Sequence, residues 1–111
     1  MKPRIMYIEL KTHRGGHDDS GPAWIGRVTF SDTGKTLYYR GRAFRRHRCV
    51  CGNFRDIETD DDYWISGPKK NGQDQYSWAG GRVAIDEDAR EEYWTEIRKE
   101  PGRVKEKYAK P

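Results

Sequence analysis

Alternating hydrophobic and polar positions recur along the chain as far as residue 85 and predict a succession of short β-strands. The alternation is clearest at 23–30, where Trp24, Val28 and Phe30 share one parity, as expected for a strand with one buried face. The same criterion predicts further strands at 4–11, 35–48, 53–59, 63–66, 75–78 and 82–85.

Turn signals separate several of these segments. Gly34 lies in a hairpin connection at 31–35 and can adopt the left-handed conformation. Three aspartates at 60–62 indicate a second turn, and Asn71–Gly72 is a further reversal signal. Short strands joined by tight turns predict a mainly β (α+β) fold: a small twisted antiparallel sheet or barrel-like roll.

One helix is predicted, at 86–99. Asp86 occupies the expected N-cap position, and Ala89, Tyr93 and Ile97 recur at four-residue spacing. We expect Tyr93, Trp94 and Ile97 to pack on the sheet against Trp24, Val28, Phe30 and Trp64. Residues 1–100 would then form a single domain, followed by a charged, flexible tail at 101–111.

Length and composition set limits on the class of protein. With 111 residues, 33% of them hydrophobic and 13% aromatic, the chain suits one small domain with an aromatic-rich core. No apolar run approaches the roughly 18–20 residues of a membrane-spanning helix, and no secretory signal is evident. We therefore expect a cytoplasmic protein that does not contact membranes.

Charge is unevenly distributed along the chain. The net charge is +4, yet residues 35–48 carry six Lys or Arg, three aromatics and no acid, whereas 56–62 carry five acids and no base. On the predicted strand Leu37 and Tyr39 face inward and Tyr38 outward, with Gly41 providing a bulge that returns Phe44 to the interior. The cationic and aromatic side is thus predicted to face solvent.

Cationic and aromatic side chains on one strand are typical of nucleic-acid binding, because arginines contact phosphates and aromatic rings stack on bases. The predicted function is therefore a non-catalytic binding module for RNA or DNA. One alternative is a protein-interaction module, for example one that binds a toxin, immunity or phage-related partner; another is a solvated strand face without a ligand. The candidate ligand-binding residues are Tyr38, Arg40, Arg42, Phe44, Arg45, Arg46 and Arg48.

Metal and enzyme chemistry receive little support from the sequence. His47, Cys49 and Cys51 are weak metal-ligand candidates, because same-face side chains on a strand lie nearly 7 Å apart. The two cysteines are expected to be free thiols. No nucleophile elbow, phosphate-binding loop or zinc-protease helix is present, so neither an enzyme nor a cofactor is predicted.

Three blocks of sequence resemble a family of small uncharacterised bacterial proteins. They are GPAWIGRVTFSDTGKTLYYRGRAF at 21–44, YWISGPKKNGQD at 63–74 and VAIDEDAREEYWTEIR at 83–98. The range from the first block to the last is about two thirds of the chain. The resemblance implies a bacterial origin. It implies no activity, cofactor or catalytic residue.

Overall fold

Nine strands and one short helix form the fold in this computed structural model, which describes residues 2–13, 16–17, 22–48, 52–72 and 83–109. The strands are β1 (Arg4–Leu10), β2 (Thr12–His13), β3 (Gly16–His17), β4 (Ala23–Phe30), β5 (Thr36–Tyr39), β6 (Arg42–Arg46), β7 (Phe54–Asp56), β8 (Asp62–Ser66) and β9 (Val83–Ile85). Helix α1 (Glu87–Glu92) continues as a π-helical turn at Tyr93–Ile97, and a 3₁₀ turn follows at Pro101–Arg103.

Six of the strands close into an antiparallel barrel. Their order is β1, β8, β7, β6, β5, β4, and pairing of β4 with β1 completes the ring. Strand β9 adds to β4 in parallel, outside the ring, and β2 and β3 form a separate two-stranded sheet. The mainly β, barrel-like architecture predicted from the sequence is confirmed.

Apolar side chains form two separate cores, because β1 and β4 are buried on both faces. In β1, Met6 and Ile8 point into the barrel, whereas Ile5 and Tyr7 point outward under α1. The barrel core comprises Met6, Ile8, Val28, Leu37, Tyr39, Phe44, Phe54, Tyr63 and Ile65. The outer core comprises Ile5, Tyr7, Ala23, Ile25, Val83, Ile85, Ala89, Tyr93, Trp94 and Ala109.

This arrangement corrects the predicted helix packing. Tyr93 and Trp94 are buried, but they join the outer core, whereas Val28 belongs to the barrel core, against which the partly buried Trp24 and Phe30 pack. Trp64 points away from both cores and is 40% exposed. Alternation separates the two faces of a strand, but it does not say which face a helix will cover.

The helix has the predicted extent. The N–H of Arg98 bonds to the carbonyl of Tyr93 at 2.9 Å, a five-residue step that defines the wider π turn, and Lys99 ends it with φ +57°. Asp86 occupies the N-cap position in extended backbone, but its side chain makes no capping hydrogen bond. Its carboxylate binds side chains of the barrel instead.

The segment after Pro101, predicted to be a flexible tail, lies along β9 as far as Ala109. The N–H of Ile85 bonds to the carbonyl of Lys107, and the N–H of Ala109 bonds to the carbonyl of Val83, both at 2.8 Å. The indole N–H of Trp94 donates to the carbonyl of Glu106 at 3.0 Å. This C-terminal segment therefore covers the outer core.

The cationic segment at 35–48 is a hairpin rather than the predicted single strand. Arg40 and Gly41, with φ +50° and +74°, form a two-residue connection between β5 and β6, in which Tyr39 pairs with Arg42. Positive φ at both positions is characteristic of a type I′ turn. Arginine is an unusual residue at the first of these positions, so the local sequence indicated a bulge at Gly41 instead.

Candidate nucleic-acid interface

The hairpin divides the candidate arginines into three places. Arg40 and Arg42 lie at or beside its tip, Arg45 lies on the outer face of β6, and Arg46 and Arg48 lie at its far end. All five are exposed. Their contacts with neighbouring side chains differ, however, and these contacts decide which of them can contact a ligand.

Arg42 is bound to a buried carboxylate. Its Nη1 donates to Oδ2 of Asp56 at 2.9 Å, and Asp56 is only 1% exposed. The other oxygen of Asp56 accepts the N–H groups of Glu58 and Thr59, at 2.9 and 3.3 Å. Arg42 therefore stabilises the turn between β7 and β8.

These contacts change the protonation equilibria of both partners. Burial acts to raise the pKa of Asp56, but the hydrogen bonds from Arg42 and from the two backbone N–H groups lower it overall. The hydrogen bond to Asp56 raises the pKa of Arg42. Both groups are charged near neutral pH, and they form an ion pair within the protein.

Arg40 forms a similar ion pair, with Asp86. Its Nη2 bonds to Oδ1 of Asp86, and the hydroxyl of Tyr39 donates to Oδ2 at 2.6 Å. Burial and the hydrogen bond to Asp86 raise the pKa of the Tyr39 hydroxyl, which stays protonated at neutral pH. Neither Arg40 nor Arg42 is thus the freely available cation that the sequence suggested.

Phe44 is fully buried and is not available to stack on a base, which corrects its place among the candidate ligand-binding residues. It pairs across the hairpin with Leu37 and packs edge-to-face on Tyr63, with ring centroids 4.9 Å apart. The inward position agrees with the sequence analysis, but the hairpin, not a bulge, produces it.

A row of charged and polar side chains crosses the outer face of four strands. Thr36 pairs with Arg45, Arg45 with Arg55, and Arg55 with Asp62. Nε of Arg55 bonds to Oδ1 of Asp62 at 3.0 Å, whereas Arg45 makes no ion pair with any residue that the structure describes. Arg45 and Arg55 lie directly opposite each other, and like charges in such positions destabilise a sheet. An anion bound at Arg45 would therefore stabilise this row.

Large apolar side chains flank this row and are exposed. Tyr38, opposite Ala43 on one side, exposes 43% of its surface. Ile57, whose N–H bonds to the carbonyl of Ala43, exposes 45%, and Trp64 on the other side exposes 40%. We refer to Tyr38, Arg45, Arg55 and Ile57, which lie on the neighbouring strands β5, β6 and β7 or directly after β7, together as the open face. Trp64 lies on β8, on the opposite side of the closed ring from β5.

Sequence analysis missed Arg55 and Ile57 as part of this surface, and it placed the exposed Trp64 in the core. For Trp64 a signal was present, because it shares parity with the polar residues Asp62 and Ser66, whereas Tyr63 and Ile65 form the apolar face. For Arg55 and Ile57 the local sequence held no comparable signal. Their positions follow from the pairing of β6 with β7.

The remaining candidates lie at the far end of the hairpin. The Arg46 guanidinium lies 5.5 Å from the ring centre of Phe54, and Arg48 is exposed. His47 is half-buried, and its N–H bonds to the carbonyl of Asn53 at 3.1 Å. Cys49 and Cys51 lie outside the described residues. Within the described part of the chain, no group of three or more His, Cys, Asp or Glu side chains is placed to hold a metal ion.

A buried ionic cluster on β1 was also not predicted. Nζ of Lys11 lies 2.6 Å from Oε2 of Glu9, and the hydroxyl of Tyr7 donates to Oε1 of the same carboxylate. All three residues are buried. Because solvent does not reach them, the cluster contributes to packing of the outer side of β1 rather than to the open face.

Among residues 2–13, 16–17, 22–48, 52–72 and 83–109, no helix is long and apolar enough to cross a membrane. Comparison with protein-family models, curated proteins and solved structures found no match to this chain.

Proposed function

We propose that this protein is a non-catalytic module that binds single-stranded nucleic acid on the open face. The observation that carries the proposal is the position of Tyr38 and Arg45, an exposed aromatic ring and an exposed arginine without a described ionic partner, on adjacent strands. Aromatic side chains stack on unpaired bases, and arginines contact phosphates. The bases of a duplex stack on each other, so Tyr38 has less access to a base face in a duplex than in a single strand.

The dimensions of the open face suit a short stretch of nucleic acid. Tyr38 on β5 and Arg55 on β7 lie two strands and two residues apart. With strands about 4.8 Å apart and about 3.3 Å per residue, the two positions are separated by roughly 12 Å. This span suits a segment no longer than the lower end of the site sizes of small barrels, about four nucleotides.

Further cations lie next to this surface. Lys35, Arg46 and Arg48 are exposed at the far end of the hairpin, and none of them forms an ion pair with a described residue. Arg40 and Arg42 are excluded from the interface because Asp86 and Asp56 bind them. The predicted phosphate contacts therefore come from Arg45, Arg46 and Arg48.

The test is fluorescence anisotropy with a labelled single-stranded 12-mer RNA and a 12-base-pair DNA duplex, at low and at physiological salt. Arg45, Arg46 and Arg48 are replaced together by Glu. A control variant replaces Lys2, Lys105 and Lys107 by Glu, which changes the net charge equally at exposed sites elsewhere.

We expect wild type to prefer the single strand. The slope of log affinity against log salt should be shallower in the arginine variant by about 2, because each lost phosphate contact contributes about 0.7. The control variant should keep most of the affinity. Equal losses in the two variants, or no binding by wild type at low salt, would contradict the proposal, and a protein partner would be the next hypothesis.

A further inference from the structure

A cleft of about 530 Å³ lies between the tip of the β5–β6 hairpin and the start of α1. It is separate from the open face. The residues that matter in its lining are Trp24, Arg27, Tyr39, Arg40, Asp86 and Asp88. Within this cleft, the Arg40 side chain is bound by the kinds of groups with which proteins bind a cation.

The guanidinium of Arg40 lies against two aromatic rings and a carboxylate, while the side chain remains 51% exposed. Its central carbon lies 5.4 Å from the ring centre of Trp24 and 5.3 Å from that of Tyr39. Asp86 binds it and accepts the Tyr39 hydroxyl with its second oxygen, which orients the carboxylate. Aromatic faces within about 6 Å and a fixed carboxylate are the groups with which proteins recognise guanidinium and alkylammonium ions.

Trp24, Tyr39 and Asp86 form a cage on one side of the guanidinium. Gly26 lies at the base of this cage, where there is no space for a Cβ atom. A Cβ atom on Gly26 would collide with Oδ2 of Asp86 and with Cε1 of Tyr39, and it would lie 2.8 Å from the Tyr39 hydroxyl. Only glycine at this position allows Tyr39 and Asp86 to meet. The cage is thus specified by a residue that does not itself contact the cation.

Arg40 occupies the cage from an unfavourable backbone position. Its φ of +50° is rare for residues other than glycine, asparagine and aspartate. Arginine lacks the short polar side chain with which asparagine and aspartate hydrogen-bond to the nearby backbone. The two-residue turn imposes this conformation, so the side chain can leave the cage while the backbone keeps its geometry.

The electrostatic balance of the cleft favours a cation over an anion. Its two arginines are already paired, Arg40 with Asp86 and Arg27 with Glu92 at 3.2 Å. Glu87 and Asp88 are exposed at the mouth, and no described cation pairs with their side chains. An approaching cation therefore meets a net negative rim.

We infer that the cleft is a recognition site for a guanidinium or alkylammonium cation, and that Arg40 is an internal occupant which such a ligand displaces. The site differs from the open face in position and in the charge that it attracts. Because Arg40 is tethered, it competes at a high effective concentration, and the unmodified protein binds free cations weakly.

The test empties the cage without weakening the hairpin. Arg40→Asn removes the guanidinium and leaves an Asn-Gly pair, the most favoured pair for a type I′ turn. Ethylguanidinium is titrated into wild type and R40N, and binding is followed by the shift of the Trp24 indole signal in two-dimensional NMR. We expect saturable binding to R40N at least tenfold tighter than to wild type.

Two further variants separate cage binding from a general effect of the salt. In R40N/D86N the carboxylate is lost, and affinity should fall at least tenfold from that of R40N. Arg45→Asn leaves the cage occupied and should match wild type. R40N/D86N also loses the hydrogen bond from Tyr39, so Trp24→Leu in the R40N background is a second test that removes an aromatic wall and keeps the ion-pairing group. This variant lacks the Trp24 indole, and its binding is followed by the backbone N–H signal of Asp86.

The source of the natural cation is distinguished by a second probe, the peptide Gly-Gly-Arg-Gly-Gly. Binding of the peptide to R40N as tight as that of ethylguanidinium supports the site and indicates an arginine of a partner protein. Binding of ethylguanidinium alone supports the site and indicates a small free ligand. Failure of both probes to bind R40N, or unchanged binding when D86N or Trp24→Leu is added to R40N, would overturn the inference.

Discussion

The hydroxyl of Tyr39 donates a 2.6 Å hydrogen bond to Oδ2 of Asp86, and this bond ties the β5–β6 hairpin to the residue before α1. The other carboxylate oxygen of Asp86 accepts a hydrogen bond from Arg40. The backbone N–H of Asp86 bonds to the carbonyl of Ile25 at 2.8 Å. One carboxylate thus connects the hairpin, strand β4 and the helix. The residue expected to cap a helix instead fixes the position of the helix on the barrel.

Replacing Gly26 by Ala should destabilise the protein. The added methyl group would displace Asp86 and Tyr39, and overpacking of this kind costs roughly 1–3 kcal/mol. The free energy of unfolding measured in urea gives the comparison. Gly102→Ala is the matched control, because a Cβ there meets nothing within 4 Å. Equal stability of the two variants would show that the Tyr39–Asp86 contact tolerates displacement.

Asp56→Asn should destabilise the protein in a pH-dependent way. The folded-state pKa of Asp56 lies below its ordinary value, so the ionised carboxylate contributes stability above about pH 4, and this contribution is lost as the pH falls through the folded-state pKa. Asn keeps an acceptor but loses the charge, and the expected cost at pH 7 is roughly 1.5–3 kcal/mol.

The measurement is urea unfolding of wild type and D56N between pH 7 and pH 2.5. The difference in unfolding free energy should be largest above pH 5 and should shrink at the acid end. Asp60→Asn is the control: Asp60 is exposed at φ +62°, a conformation that Asn also adopts readily. A pH-independent cost in D56N would show that Asp56 acts through packing and not through its charge.

Tyr38→Ala should weaken binding of single-stranded RNA without changing its salt dependence. A stacked ring contributes roughly 1–3 kcal/mol per base, which corresponds to about a 5- to 150-fold loss of affinity, and the number of phosphate contacts stays the same. Anisotropy titrations at several salt concentrations separate the two effects. Tyr38→Phe keeps the ring and should retain near-wild-type affinity; if it loses as much as Tyr38→Ala, the hydroxyl and not stacking would be the relevant group.

Deleting residues 103–111 should destabilise the outer core. The deletion removes the carbonyl that accepts the Trp94 indole N–H, the Arg103 guanidinium 4.2 Å from its ring centre, and the backbone pairing with β9. We expect a loss of roughly 2–4 kcal/mol and a red shift of tryptophan fluorescence as Trp94 becomes hydrated.

A full-length variant with Ser in place of Lys105 and Lys107 tests whether charge alone explains this effect. Both lysines are exposed, and the backbone pairing does not depend on their side chains. The variant should unfold at nearly the wild-type urea concentration. Unfolding as early as the truncated protein would assign the stabilisation to lysine charge rather than to the strand pairing.

Local patterns predicted the strand at 23–30, the hairpin at Gly34 and the helix at 86–99, and the structure agrees with each. These features depend on neighbours a few residues apart: alternation over eight residues, a turn residue with positive φ, and apolar residues at four-residue spacing. The Arg40–Gly41 turn was missed because its first residue carries no local signal for the left-handed conformation. Its ion pair with Asp86 lies 46 positions away in the chain.

The sequence by itself determined that this chain forms a barrel-like antiparallel sheet with one C-terminal helix, and that positive charge and aromatic rings are concentrated at 35–48. Only the tertiary structure decided which arginines bind internal carboxylates, and that Arg55 and Ile57 lie on the same outer face as Tyr38 and Arg45. Alternation and charge are local properties of the chain. Pairing between strands and the selection of ionic partners depend on closure of the barrel, which brings together residues that are distant in sequence.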